Sequence, residues 1–344
     1  MSKIKVARSE IKRKVAIIIP CYRAKLTIDS VVQDCLKYLN KMLNLIDYKI
    51  IIIDDACPNL SCRNIEENKL IKLIRHEKNC GVGASTLTGI NFALKNNFDL
   101  IIKLDADGQH PPKYLVDLIP FIISLPRYQL FLTKGTRYKI NFSKNKVPFA
   151  RKLGTMFLDP IARSALNYRG LSDVTNGFLG MDSNTAKFLL KNYGGTKIES
   201  RYLFESSLLA KCSELGIKLN EFHMLPYYGE KWLSSMNAFS MIFPLIIFWL
   251  KIIFRRIFRK YLFNFNLGTL LLSISILNFI FCQFIFFNNV LPEIKKGILV
   301  TAGNSSAFTS SGILAIISIA LFFFYDYASA VKANTVFFNS INND

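Results

Sequence analysis

Apolar positions follow two different patterns along the chain. In the first part they come in short runs: VAIIIP at 15–20, YKIIIIDD at 48–55, LIKLIRH at 70–76, DLIIKL at 99–104 and QLFLTKGTR at 129–137. These runs are nearly continuous and rich in Ile, as in strands covered on both faces, rather than alternating as in strands with one wet face. Longer helix-compatible stretches separate them, over 26–43, 81–97 and LVDLIPFIISL at 115–125. Short buried strands alternating with helices predict an α/β domain built on a mostly parallel sheet. Ligands of such sheets sit at the carboxyl ends of the strands. The polar residues at those ends are Cys21–Arg23, Asp54–Asp55, His76, Asp105–His110 and Lys134–Arg137, and they are expected to converge on one crevice.

The second pattern begins past residue 260. LGTLLLSISILNFIFCQFIFF at 267–287 and FTSSGILAIISIALFFFY at 308–325 carry no charge, and a helix crosses a bilayer with about 20 apolar residues. Ahead of them, MNAFSMIFPLIIFWLKIIFRRIFRK at 236–260 ends with Lys251, Arg255, Arg256, Arg259 and Lys260 set among Ile and Phe. That spacing predicts a helix lying in the membrane interface, basic heads toward lipid phosphates. Three regions follow: an α/β front domain over 1–235, a juxtamembrane amphipathic segment over 236–262, and a two-helix anchor over 263–344. The basic cluster places the front domain and the tail in the cytoplasm and the 288–307 linker outside, as a multi-pass protein of the inner or plasma membrane. The basic N-terminus and the short VAIIIP run do not read as a signal peptide.

Charge sharpens this picture. The 344 residues hold 44 Lys and Arg against 24 Asp and Glu, a net +20. All but three residues of each sign precede Leu262, so the excess belongs to the front of the chain. A basic surface suits nucleic acid or anionic lipid; the apolar tail selects the anionic membrane, and no nucleic-acid partner is expected. A mean hydropathy of +0.26 excludes intrinsic disorder. Seven cysteines without a C-x-x-C pair, and only three histidines, give neither a disulfide framework nor a clustered zinc site. Association with a second copy stays open.

Candidate chemistry concentrates in Asp105-Ala106-Asp107-Gly108-Gln109. Two carboxylates one residue apart, just beyond a buried strand, can reach one cation, and hard oxygen ligands suit Mg²⁺ or Mn²⁺ with substrate phosphates. Gly81-Val82-Gly83 opens a helix, but Thr86 leaves G-x-G-x-x-G incomplete, and the chain has no G-x-x-x-x-G-K-[ST]. The glycines fit close packing and a helix N-terminus, or a simple turn.

Pro20-Cys21-Tyr22, Asp54-Asp55, Asn79-Cys80-Gly81-Val82-Gly83-Ala84, the Asp105–Pro111 segment, Lys134-Gly135-Thr136-Arg137-Tyr138, Asp173–Phe178 and Tyr228–Lys231 stand in the order seen in family 2 glycosyltransferases. The set, over roughly residues 14–235, resembles the dolichyl- and polyprenyl-phosphate sugar synthase branch. The resemblance implies a GT-A fold, a UDP- or GDP-linked sugar donor, a divalent metal and inversion at the anomeric carbon. It also implies donor contacts from Pro20, Tyr22, Asp54, Ala106, Arg137 and Lys231, with Asp105, Asp107 and Gln109 at the metal. Arg23 and Ala24 depart from the usual residues after Pro-x-Tyr, so the pattern does not choose between the nucleotides. Neither Trp232 nor Trp249 completes the Q-x-x-R-W of processive synthases, which favours a single sugar transfer. The expected acceptor is a polyprenyl-phosphate, which needs no strong base. A hydroxyl of a lipid-linked glycan would instead need one, with Asp173 or Glu205 as candidates. An inactive, membrane-tethered nucleotide-sugar-binding protein is the alternative of another class.

Overall fold

The computed structural model describes residues 12–137, 149–191, 196–227 and 238–336. The chain forms two compact units. One comprises Met1–Leu166, Gly170–Phe248 and Lys332–Asp344; the other comprises Asn167–Arg169 and Trp249–Val331.

In the first unit, β1 (Arg13–Cys21), β2 (Ile46–Asp54), β3 (Ile71–Arg75), β4 (Leu100–Lys103) and β5 (Phe131–Thr136) alternate with α1 (Ile28–Leu39), α2 (Val82–Lys95) and α3 (Leu115–Ser124). α4 (Phe149–Leu166) precedes the short β6 (Tyr168–Arg169). Then come β7 (Leu179–Asp182), α5 (Ser183–Lys191), α6 (Phe204–Glu214), β8 (Lys218–His223) and the start of α7 (Ala238–Ile257). The continuous apolar runs are explained by cover on both faces. Ile17, Ile19, Ile50 and Ile52 join a core with Ile28, Val31, Val32 and Cys35 of α1. On the other face Gly89 of α2 lies against Ile18 and Ile53, where an added Cβ would stand 2.5 Å and 3.0 Å from their side chains. Buried positions of α1 recur at three- and four-residue spacing, the stripe an amphipathic helix presents to a sheet.

The sheet order is β10-β8-β5-β7-β4-β1-β2-β3, where β10 is Asn334–Val336. Its pairings are parallel except those of β7, which runs antiparallel between β4 and β5. The mostly parallel α/β sheet expected from sequence is therefore present, with one reversed strand inserted. β10 comes from the far end of the chain and pairs with β8, Asn334 opposite Asn220 and Val336 opposite Phe222.

The second unit holds the end of α7, a widened helical turn at Phe258–Leu262, α8 (Leu267–Ile285), a second widened turn at Phe286–Val290, α9 (Leu291–Lys295), α10 (Ala302–Ala328) and β9 (Val331–Lys332). Asn266 caps α8 through a reciprocal pair with Thr269. Val331 N donates to Asn167 O beside β6. Ser275 of α8 donates to Ala315 O of α10, and small residues such as Ser311 and Ala315 are buried along that contact. The helices over Leu267–Lys295 and Ala302–Ala328 are long and apolar enough to cross a bilayer, and only 17% and 22% of their most apolar windows are buried. A core helix of a soluble protein would be mostly covered; these two present Leu, Ile and Phe outward.

Candidate active site

The register of the sheet gathers the polar strand ends. Cys21 closes β1 opposite Asp54 at the end of β2, and Lys103 closes β4 opposite Ile18. A cleft of about 700 Å³ opens over these ends. Its lining runs from Pro20, Tyr22 and Arg23 past Asp55, Asn79 and Gly81 to Asp105, Ala106, Asp107, Gln109 and Arg137. Beyond them, Gly154 and Leu158 of α4 and Met241, Ile242 and Leu245 of α7 form an apolar wall.

The loop after β4 is held from within. Leu104 N donates to Ile18 O, Asp105 N to His110 Nδ1 at 3.1 Å, and Thr27 Oγ1 to Ala106 O at 2.7 Å. Burial pushes His110 below its ordinary pKa, which keeps the ring neutral and its Nδ1 an acceptor. Gly108 adopts φ +80°, the left-handed backbone that glycine takes without strain. The Asp105 carboxylate meets Lys103 Nζ at 2.7 Å. Burial opposes its ionisation, but Lys103 outweighs that cost and brings it to about 2. Gly177 packs directly on this pair: a Cβ there would stand 2.5 Å from Lys103 Nζ and 2.6 Å from Asp105 Oδ2. Asp107 accepts from Gln109 N at 3.0 Å and from Gln109 Nε2 at 2.5 Å. The Gln109 amide oxygen in turn lies 3.5 Å from Arg137 Nη1, so Gln109 bridges Asp107 and Arg137.

Of the two candidate bases, the cleft takes one. Glu205 lines it and accepts from Lys103 Nζ at 2.8 Å. Asp173 is fully buried and is not among the lining residues. Its oxygens accept from Arg137 Nε at 2.7 Å, Arg137 Nη2 at 2.5 Å, Arg137 N at 3.0 Å and Asn176 Nδ2 at 3.1 Å. Burial disfavours its charge, yet Arg137 more than offsets this and holds it near 2. A carboxylate so engaged orients Arg137 and is a poor proton acceptor.

Similarly, Asp55 lines the cleft where Asp54 does not. Asp54 accepts from Cys57 N and closes the loop after β2. Asp55 accepts from Cys80 N, Gly81 N and His76 Nδ1 at 2.8–2.9 Å. Asp55, His76 and Cys80 bring potential ligand atoms within 4.8 Å of one another, and those bonds make the group a cap for the turn into α2. Lys231 lies outside the described residues. Sequence reasoning passed over Asn59, Ser85, Arg201 and Tyr202, which also line the cleft. Only Ser85 carried a usable signal, a hydroxyl four residues ahead of Gly89 on one helix face.

Residues 16–181 match the family model of glycosyl transferase family 2. The chain is 26% identical over 189 residues to a dolichol-phosphate mannosyltransferase of Pyrococcus furiosus, covering 54% of this chain and 51% of that one, so it spans about half of that relative's length. It is 26% identical over 217 residues to a UDP-N-acetylglucosamine–dolichyl-phosphate N-acetylglucosaminyltransferase of Methanococcus voltae, covering 58% and 81%. The solved mannosyl-3-phosphoglycerate synthase of Rubrobacter xylanophilus has a similar fold, with a TM-score of 0.51 at 15% identity over 72% of this chain and 75% of that one. Residues 16–181, from β1 into β7 and with the whole acidic loop, thus match the family 2 glycosyl transferase domain, and the fold is GT-A-like.

Proposed function

We propose that the protein is a membrane-anchored inverting glycosyltransferase that moves one sugar from a nucleotide-sugar to a polyprenyl-phosphate. The observation that carries this reading is the cleft itself. Carboxylates and Arg137 meet at one part of its wall, and the apolar side chains of α4 and α7 form another. The named relatives act on dolichyl phosphates.

Asp105 and Asp107 are hard oxygen donors that face the cleft, and the low pKa of Asp105 keeps it charged; they fit Mg²⁺ or Mn²⁺. Such an ion would offset the charge that grows on the leaving diphosphate. Gln109 fixes the Asp107 carboxylate. Pro20 and Tyr22 sit at the nucleoside side of the cleft. Arg137, oriented by Asp173, presents positive charge to the phosphates. An oxygen of the acceptor phosphate attacks the anomeric carbon from the face opposite the diphosphate, and the bond from that carbon to the diphosphate oxygen breaks. A phosphate is already anionic near neutrality, so Glu205 has no proton to remove. If the acceptor were a hydroxyl, Glu205 would be the base within reach.

The second unit anchors the domain. Residues 249–331 lie between two segments of the first unit, since β10 returns to pair with β8. A segment that leaves one folded body and returns to it crosses a membrane an even number of times. Two spans satisfy this. With Lys251–Lys260 retained on the cytoplasmic side, the catalytic unit is cytoplasmic, where its basic surface meets anionic lipid.

The test supplies labelled donor, metal and plain polyprenyl-phosphate to the full chain in detergent. An acid-labile sugar phosphodiester is expected, absent with Asp107→Ala and retained within about tenfold with Glu205→Gln. Label that appears only on a lipid-linked saccharide, and vanishes with Glu205→Gln, would replace the phosphate acceptor with a hydroxyl.

A further inference from the structure

Ser85 is fully buried in the first turns of α2, and its hydroxyl has no hydrogen-bond partner among the described residues. It nevertheless lines the cleft. Its placement follows from helix spacing. Ser85 and Gly89 share one face of α2, and Gly89 lies on Ile18 of β1 and Ile53 of β2. One turn toward the helix N-terminus, Ser85 sits over the carboxyl ends of those strands, with Asp55, Asn79 and Gly81. A buried hydroxyl left unpaired opposes folding, so this one is placed to be satisfied by what enters the cleft.

The electrostatics of the same helix end select the ligand's chemistry. An open helix N-terminus attracts phosphate. Here Asp55 stands just ahead of that end, accepting from Cys80 N at 2.9 Å and Gly81 N at 2.8 Å, and Ala84 N donates to Ser200 O. A buried carboxylate at this point repels a second anion. The group that meets Ser85 is therefore neutral and polar, whereas the diphosphate belongs with Asp105, Asp107 and Arg137 past the end of β4.

We propose that Ser85 is a recognition residue for the nucleoside half of the donor, its hydroxyl bonding a polar atom of the base or ribose and not the diphosphate. The assignment rests on the reading of the cleft as a nucleotide-sugar site.

The experiment compares the full chain with its Ser85→Ala variant in detergent, using calorimetric titration of UDP, GDP and inorganic pyrophosphate, each with Mn²⁺. Because no intramolecular hydrogen bond is lost, the variant melts no lower than the parent. The nucleotide that the parent binds is weakened about five- to tenfold, and pyrophosphate binding is unchanged. Equal nucleotide affinity in parent and variant would overturn the assignment while leaving the donor reading intact. Equal weakening of nucleotide and pyrophosphate would overturn it too, moving Ser85 to the phosphates. Failure of the parent to bind either nucleotide would remove the donor reading itself, and the Ser85 assignment with it.

Discussion

Arg137–Asp173 in the catalytic unit and Arg256–Asp326 in the helical unit are both two-pronged arginine–carboxylate pairs with contacts of 2.5–2.7 Å. Their surroundings differ. Asp173 spends most of its acceptor capacity on one arginine, whose Nη1 is left turned to Gln109 in the cleft wall. Asp326, near the end of α10, gathers Arg256, Lys260 at 3.2 Å and the Tyr261 hydroxyl at 2.7 Å. One carboxylate serving mainly one guanidinium orients it in the cleft wall. One carboxylate shared by three side chains fastens a segment. Identical pair chemistry thus does two jobs: three of the four bonds to Asp173 come from Arg137 alone, whereas the four to Asp326 are spread over three residues.

The largest expected effect separates those jobs at Asp173. This residue has φ +51°, a left-handed conformation that Asn also tolerates, so Asp173→Asn tests charge without backbone strain. The Arg137 guanidinium would remain buried without its counter-ion, costing about 3 kcal/mol, read from the urea midpoint. Sugar transfer should fall by roughly 100-fold or more as the guanidinium loses its aim. A variant that is destabilised yet transfers at the parental rate would show that Arg137 never meets the donor, and the contrast between the pairs would collapse into two structural fasteners.

The short apolar runs made β1, β2, β4 and β5 legible because both faces of each strand are covered; β3, at the sheet edge, alternates buried and part-exposed positions and was legible from its apolar Ile71 and Leu73. The motif order then located the strand ends that form the cleft. β7 was not legible: Leu179–Asp182 is short and contains Gly180, and nothing local says that it enters between β4 and β5 in reverse. Nor was β10, since Asn334–Val336 becomes a strand only by meeting β8 across more than a hundred residues. The same limit applies within the site. Sequence offered Asp173 and Glu205 as equal candidates, because the Arg137 partner that occupies Asp173 is set by tertiary packing over 36 residues. The choice of Asp55 over Asp54 at the cleft also depends on which way each strand-end carboxylate turns, which their adjacency in sequence leaves open.

A smaller effect is expected at the second pair. Arg256 and Lys260, four residues apart, both reach Asp326, so Asp326→Asn loosens the Phe258–Leu262 turn from α10. The cations are part-exposed and can turn to water, so the loss should be about 1–2 kcal/mol, less than at Asp173. It would be measured by thermal unfolding in detergent. Nucleotide affinity should not change. If it falls as steeply as in Asp173→Asn, the two clusters are coupled, and the fastening role gives way to one in donor binding.

The smallest effect lies beside the first pair and has the opposite sign. Asp159 of α4 is buried; its Oδ2 accepts from Asp173 N at 3.0 Å, while its Oδ1 has no hydrogen-bond partner among the described residues. Burial, with the nearby Asp173 charge adding to it, raises its pKa to about 6, against the lowering influence of the Asp173 amide, Lys134 and Arg163. A carboxyl whose pKa is higher in the folded state binds its proton more tightly there. Its contribution to stability is complete below about pH 4 and is lost as pH rises through about 6. Asp173 behaves in the reverse way: its lowered pKa makes its contribution complete above about pH 4 and lost as pH falls toward 2. Asp159→Asn keeps the acceptor for Asp173 N and removes the titration. The variant should therefore match the parent near pH 4 and exceed it by about 1–2 kcal/mol at pH 7.5, with the parent's decline between pH 4 and 7 flattened. Chemical unfolding at a series of pH values reads both curves. A variant less stable than the parent at pH 7.5 would mean that the Asp159 anion is a paired partner in the network around Asp173, and the division between an aimed arginine and its neutral support would have to be redrawn to include a second working charge.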